Sequence, residues 1–537
     1  MSKFTLFKNS FILFQTCIFV YICLKSLQEN SPFFYKNTDP AYEYLINGIN
    51  LIYGMTPGHA DHPGSTLQWA LSLTHRIYYY TSGVNTNLKI DFVNEPEMYA
   101  LTFSIISIIF HAFIIYLTTH KLYQIYRRII YLFYPTIFMI VAYEYFDQLI
   151  GVKPENFLIM TAGLMIYGMI VFENKNQEKN TAKAVFYGLI LAVGISTKLT
   201  FLPFLLLLFF IRSNFGKLLS VITMMATLLV LNIKLYGTFR LSWFTNIIFN
   251  GGRYGENRSK PFIDIISDFG NIVLLKYPGV TISIVLTIII FSRSNYKRKL
   301  VESEIRLIFY SSLLMIFGLL LVIKESLPRD FVIIIPLIAF VLIIQLGALV
   351  HIKYFKNIWG NIRLLPYMSL TLFISLIFIS VIILNTYNKL FNSEINSDNN
   401  EKYLFEEFHI SKSLEGHVVI TDYDAPTQYA ALQFGNVLYG ESSVKLEVDD
   451  KYPTSLHIVG TNIYNGKNEK IGCQFFPRFL AEGRKIYVFS RSLQDMELRI
   501  KSSEHAFDWS FSDKFIEYKD LDLDWKIFEV TIAKCRE

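Results

Sequence analysis

The sequence predicts a polytopic α-helical membrane protein of about eleven transmembrane helices, with a C-terminal α/β domain on the extracytoplasmic side. Three observations carry that prediction. Apolar runs of about 20 residues, long enough to cross a hydrocarbon layer of roughly 30 Å, recur from the N-terminus to about residue 387 and then stop. Charged residues make up 18% of the 537, against about 25% in an ordinary soluble domain, and the mean hydropathy is +0.36. Basic residues collect in alternate connections between the runs. Together these exclude a disordered chain and argue against a wholly soluble enzyme.

The first apolar run, about residues 10–28, follows Lys3 and Lys8. It has no small-residue cleavage site and further spans succeed it, so it reads as a retained helix and not a signal peptide. Further spans are predicted at 99–119, 129–146, 154–172, 183–196, 199–212, 217–235, 271–291, 307–323, 331–350 and 366–387. The two that meet at Thr197–Thr200 are short enough to be one broken helix. With the N-terminus cytoplasmic, the connections Lys121–Arg128, Lys175–Lys183, Arg212–Lys217, Arg293–Arg306 and Lys353–Arg363 fall inside, and each is basic, as the positive-inside rule requires. The loop 30–98, the turns at 147–153 and 197, the loop 236–270, the turn 324–330 and residues 388–537 then share the extracytoplasmic side. A multi-pass protein of a bacterial inner membrane fits this layout.

At Asn388 the composition turns polar, with short β-rich runs at Val418–Thr421, Leu456–Val459, Ile486–Phe489 and Ile527–Ile532. Some 150 residues are enough for a core of their own, so the sequence divides into 1–387 and 388–537. The net charge is +6, but basic residues are scattered over loops and form no nucleic-acid patch. Cys17 and Cys23 lie in the first span, where a small buried thiol is expected. Cys473 and Cys535 lie in the terminal region, and sequence alone does not pair them.

The densest chemistry is in the first outer loop. Asp39 precedes Pro40 and is suited to cap a helix starting there; Glu43, four residues on, shares its face and reads as a ligand or as a solvated charge. The stretch Thr56–Thr66 sets Asp61 and His62 among Gly and Pro, the composition of an ordered loop or of a structural turn. Lys153 and Glu155 open the fourth span, Lys198 separates two apolar runs, and Arg329 precedes the tenth. Ionisable groups this close to a bilayer core call for pairing or a cavity, which makes them functional candidates; interfacial snorkelling and a local Arg329–Asp330 pair are the competing structural readings. Arg253 and Arg258, beside Gly251 and Gly252, read as a solvated charge run or a phosphate grip.

Taken in order, Asp39, the Asp61-His62-Pro63-Gly64 motif, Lys153-Pro154-Glu155, Ser196-Thr197-Lys198 and Arg329 make residues 10–387 resemble the GT-C glycosyltransferases. The branch is the one that includes protein O-mannosyltransferases and the bacterial lipid A aminoarabinose transferase. The resemblance implies an inverting transfer from a polyprenyl-phosphate-linked sugar to a lipid, glycan or protein acceptor. It makes Asp39 the general base, with Glu43, Asp61, His62, Lys153, Glu155, Lys198 and Arg329 as substrate-binding residues. No cofactor is required, and a divalent metal is left open. The family's second adjacent acidic residue is replaced here by Pro40, and its basic or His-Pro-Pro motif appears as His62-Pro63-Gly64. A lipid-linked oligosaccharide flippase or another polytopic transporter is the competing class; it would not need so long an ordered loop and often shows internal symmetry.

Overall fold

A computed structural model gives a mostly helical chain. It describes residues 3–30, 41–57, 64–83, 86–173, 180–211, 213–233, 278–292, 302–325, 332–350, 418–422, 442–451, 455–459, 462–465, 485–490, 507–516 and 526–535, with a few single positions between them. The helices are α1 (Lys3–Asn30), α2 (Ala41–Ile52), α3 (Ser65–Ser82), α4 (Leu88–Asn94), α5 (Pro96–Tyr126), α6 (Tyr134–Val141), α7 (Phe146–Ile150), α8 (Pro154–Glu173), α9 (Asn180–Thr197), α10 (Asn214–Asn232), α11 (Pro278–Ser292), α12 (Glu302–Glu325), α13 (Ile335–Val350) and α14 (Lys445–Lys451). The strands are β1 (Val418–Asp422), β2 (Ser455–Val459), β3 (Asn462–Asn465), β4 (Ile486–Ser490), β5 (Phe507–Ile516) and β6 (Lys526–Cys535).

Four described helices are long and apolar enough to cross a membrane: α1 over Lys8–Gln28, α5, α8 over Pro154–Phe172, and α10. Shorter apolar helices cover Ile129–Val141, Thr181–Thr197, Leu199–Phe210, Gly279–Ile288 and Val332–Ala348. Each predicted span that falls on described residues coincides with helical structure; the last, 366–387, lies outside them. The span predicted at 129–146 is not one helix. It is a 3-10 turn at Ile129–Phe133, then α6, a second 3-10 turn at Tyr143–Tyr145, and α7. Pro135, in the first turn of α6, has no N–H to bond back into the preceding turn, so the segment restarts there.

The chain divides into two compact units. The first comprises Met1–Gln28, Ala60–Trp69 and Ser104–Ile382. In it the chain breaks at Lys198, whose backbone is extended (φ −160°, ψ 139°), and continues as a 3-10 helix over Leu199–Phe210. That helix is 12 residues long, where runs beyond about four are uncommon. Every third residue of a 3-10 helix eclipses the last, and Phe201, Phe204, Leu207 and Phe210 are all buried along one row. Phe210 stacks on Tyr310 of α12 at 3.8 Å between ring centres.

Polar ties fix the helix ends of this unit. Arg128 forks onto Glu304 at the start of α12, with Nη1 to Oε1 2.6 Å and Nη2 to Oε2 2.9 Å, and also donates to the Gly347 carbonyl near the end of α13. Tyr131 donates to the same carboxylate at 2.8 Å. Lys8 of α1 lies over the Tyr123 ring near the end of α5. Different ties join the start of α8 to the end of α9, so these two run antiparallel, and the ends of α9 and α10 to the start of α3, so α9 and α10 run parallel with the 3-10 helix returning the chain between them. Cys23 is buried as expected, whereas Cys17 is exposed on α1: it faces away from the packed side of the helix.

The second unit comprises Glu29–His59, Ala70–Phe103 and Ile383–Glu537. Its helical core gathers Tyr42, Tyr44, Leu45 and Ile49 of α2 with His75, Phe92 and Tyr99, all almost fully buried. Tyr99 donates to Asp91 at 2.6 Å, and Glu97 accepts from the Phe33 amide and the Tyr42 hydroxyl. The Ser443 amide donates to Asn50 Oδ1, and Lys451 Nζ donates to the Val93 carbonyl at 2.9 Å. The six strands form one mixed sheet in the order β3-β2-β1-β4-β6-β5. β1 runs parallel to β2 and β4, and the remaining pairs are antiparallel. All four predicted strand runs are strands, and β3 and β5 are added to them.

Candidate functional site

The charged residues predicted at the openings of the fourth and sixth spans meet. Lys198 Nζ lies 2.8 Å from Glu155 Oε1, and the two side chains are 6% and 7% exposed. Backbone direction explains why the pair is tolerated there. Glu155 lies in the first turn of α8, where the helix dipole favours an anion, and Lys198 directly follows α9, where it favours a cation. Lys198 therefore does not snorkel to water; its charge is balanced inside the protein. Lys153, just ahead of α8, is half-buried with its stem over Gly151.

Two polar clusters hold this end of the bundle in place. His111 of α5 is buried with Nε2 3.0 Å from Asn156 Oδ1, and Asn156 Nδ2 donates to the Gly151 carbonyl. The amide oxygen can only accept, so the proton is on His111 Nε2. Adjacent to the break, the Ser196 and Thr197 carbonyls that end α9 have lost their helical donors and find others, and Val193 O gains an additional one. The Gly64 amide donates to Thr197 O at 3.1 Å, Ser65 Oγ to Ser196 O at 3.1 Å, and Thr66 Oγ1 to Val193 O at 3.1 Å. Asn232, closing α10, bridges Ser65 Oγ and Ser196 Oγ. Gly64 adopts φ +53°, a left-handed conformation that suits the glycine of the motif. The motif beginning at Asp61 is thus anchored at its C-terminal end beside Lys198.

Glu43 is not a solvated charge: it is 1% exposed on α2, in the second unit. The helix expected from Pro40 begins at Ala41. Asp39, Asp61, His62, Arg329, Arg253 and Arg258 lie outside the described residues. His111, Asn156 and Asn232 are polar residues of this end that sequence reasoning did not single out. His111 carried a readable signal, an ionisable side chain inside an apolar run; the two asparagines carried none. Among the described residues, no group of three or more His, Cys, Asp or Glu is placed to hold a metal ion.

Fold and site together define the class: a mostly helical, membrane-embedded protein with a buried ion pair at one end of its helices and a mixed β-sheet formed late in the chain. No family model, no curated protein and no solved structure matches the chain.

Proposed function

We propose that the protein is an inverting glycosyltransferase that moves a sugar from a polyprenyl-phosphate-linked donor to a lipid, glycan or protein acceptor at the extracytoplasmic face of a bacterial membrane. The observation that carries this reading is the Glu155–Lys198 pair. Packing alone does not call for two desolvated charges at the end of a bundle, since replacing such a pair by apolar side chains is often neutral or stabilising. The anchoring of Gly64, Ser65 and Thr66 to the same helix end supports a role for the motif that precedes them. On α3, the exposed Leu73, Ile77 and Tyr80 form a stripe at helical spacing beside the exposed Arg76, which suits a helix lying in a membrane interface.

In this reading Asp39 accepts the proton of the acceptor hydroxyl as that oxygen attacks the anomeric carbon. The bond to the lipid phosphate breaks on the opposite face, which inverts the centre, and the phosphate leaves as an anion without needing a proton. Lys198 and Arg329 stabilise that anion, one as a point charge and the other as a fork. Glu155 keeps Lys198 charged and fixed at one depth. The C-terminal sheet belongs to an extracytoplasmic α/β domain.

The test is transfer in nanodiscs, with a polyprenyl-phosphate sugar and the matching nucleotide sugar as alternative donors. Use of the lipid-linked donor alone is expected. Equal use of the nucleotide sugar would overturn the reading, and movement of the lipid-linked sugar across the bilayer without transfer would assign the protein to transport.

A further inference from the structure

The 3-10 helix between Lys198 and α10 has two rows of residues that the core does not use. Residues one and two places after each buried aromatic or leucine line up separately, because a 3-10 helix repeats every three residues. Leu202, Leu205 and Leu208 form one row, and Pro203, Leu206 and Phe209 form the other. Both rows line an open cavity of about 490 Å³, to which Phe317 of α12 and Lys217 of α10 also contribute. An α-helix would wind its side chains around the axis; here each row runs straight for about 12 Å at roughly 2 Å of rise per residue. The cavity opens at the surface, where Phe209 is 74% exposed.

Among the described residues, Lys217 is the one charge in this lining. It is half-exposed, and among the described residues its ammonium has no hydrogen-bond or ion-pair partner. The sequence contains no acidic residue between Glu178 and Glu256, while Arg212 and Lys217 both fall in the connection that loop charge assigns to the cytoplasmic side. A straight apolar track with a cation in its lining is complementary to an amphiphile with one extended chain and an anionic head.

We propose that this groove holds an acidic phospholipid of the cytoplasmic leaflet, one acyl chain lying along the leucine rows and the headgroup phosphate against Lys217. The bilayer is the source: the anionic lipids of that leaflet attract lysines at the surface, and the groove opens where those lipids are. The site does not need the transferase chemistry, which concerns the other end of these helices, and shares with that reading only the cytoplasmic placement of the Arg212–Lys217 connection.

The test is native mass spectrometry of the full-length protein in detergent, offered phosphatidylglycerol and phosphatidylcholine of identical chains. Wild type should retain one phosphatidylglycerol in preference to phosphatidylcholine by about fivefold, the discrimination expected of one surface lysine. Lys217→Gln should abolish that preference while still retaining lipid, and Leu205→Trp, which fills the track, should lose both lipids. Equal retention of the two lipids by wild type, no retention of either, or an undiminished preference in Lys217→Gln would each overturn the proposal. So would capture of polyprenyl phosphate in place of phosphatidylglycerol, which would assign the groove to the donor lipid. If size-exclusion chromatography shows that Leu205→Trp does not fold, the comparison of wild type with Lys217→Gln, a change at a half-exposed position, decides the matter alone.

Discussion

At the scale of single residues, Glu155 and Lys198 each depend on the other. Removing one partner strands a buried charge, which costs about 3–5 kcal/mol. Glu155→Gln and Lys198→Met should therefore each lower the thermal midpoint of the purified protein sharply, and the double variant should recover much of that loss. Recovered stability with donor use still absent is the expected result in the double variant, because Lys198 also acts on the phosphate; recovered transfer would leave the pair a purely structural one. Asp39→Asn should insert normally yet transfer at least about 100-fold more slowly, since it keeps the shape and loses the base. His75 offers a pH test. Its Nε2 lies 3.1 Å from the Leu45 carbonyl, and burial pushes its pKa down from 6.5 to about 4, against a smaller opposing effect of that carbonyl. The unfolded chain takes up a proton below pH 6.5 and the folded one does not, so stability should fall as pH drops from 6.5 to 4, by about 3 kcal/mol in all. In His75→Gln, which retains a donor but cannot titrate, tryptophan-monitored melting curves should show a correspondingly smaller loss across that window.

At the scale of elements, what could be read from the chain depends on whether the signal is local. β1, β2, β4 and β6 were legible because each is a run of β-branched and aromatic residues. β3 is four residues with asparagine at both ends, and β5 alternates Phe507, Trp509 and Phe511 with Asp508 and Ser510, a pattern that polar spacers dilute. The spans were legible as apolar runs. The 3-10 geometry of Leu199–Phe210 was not, because leucine-rich sequence has no preference for three over 3.6 residues per turn. In the same way the charge of Lys198 stood out in the sequence, while its pairing with Glu155, 43 positions away, left no local trace. Close helix packing gives a further prediction. A Cβ on Gly188 of α9 would come within 2.5 Å of the Ser220 carbonyl and 2.8 Å of Thr223 Cβ on α10. Gly188→Ile should force the two helices apart and destabilise the protein by about 1–3 kcal/mol or more, as measured by thermal unfolding in detergent.

At the scale of the whole molecule, orientation is the property on which the proposed chemistry depends. In a background without native cysteines, a cysteine at Lys297 should react with a membrane-impermeant maleimide only after the cells are opened. One at Asp450 should react in intact cells once the outer barrier is permeabilised. The opposite pattern would place Lys198 and Glu155 at the cytoplasmic face and remove the basis for an extracytoplasmic transfer.

Lys451 imposes a delay on the folding of this chain. Its ammonium donates to the Val93 carbonyl, 358 positions earlier, and the Ser443 amide meets Asn50 across an even longer separation. A ribosome adding roughly 5–20 residues per second needs tens of seconds to bridge that interval. During that time α2 and α4 are synthesised and delivered but lack their last partners. The early loop that carries Glu43 thus waits for almost the whole protein to be made, and a ribosome that stops before residue 443 leaves it permanently incomplete.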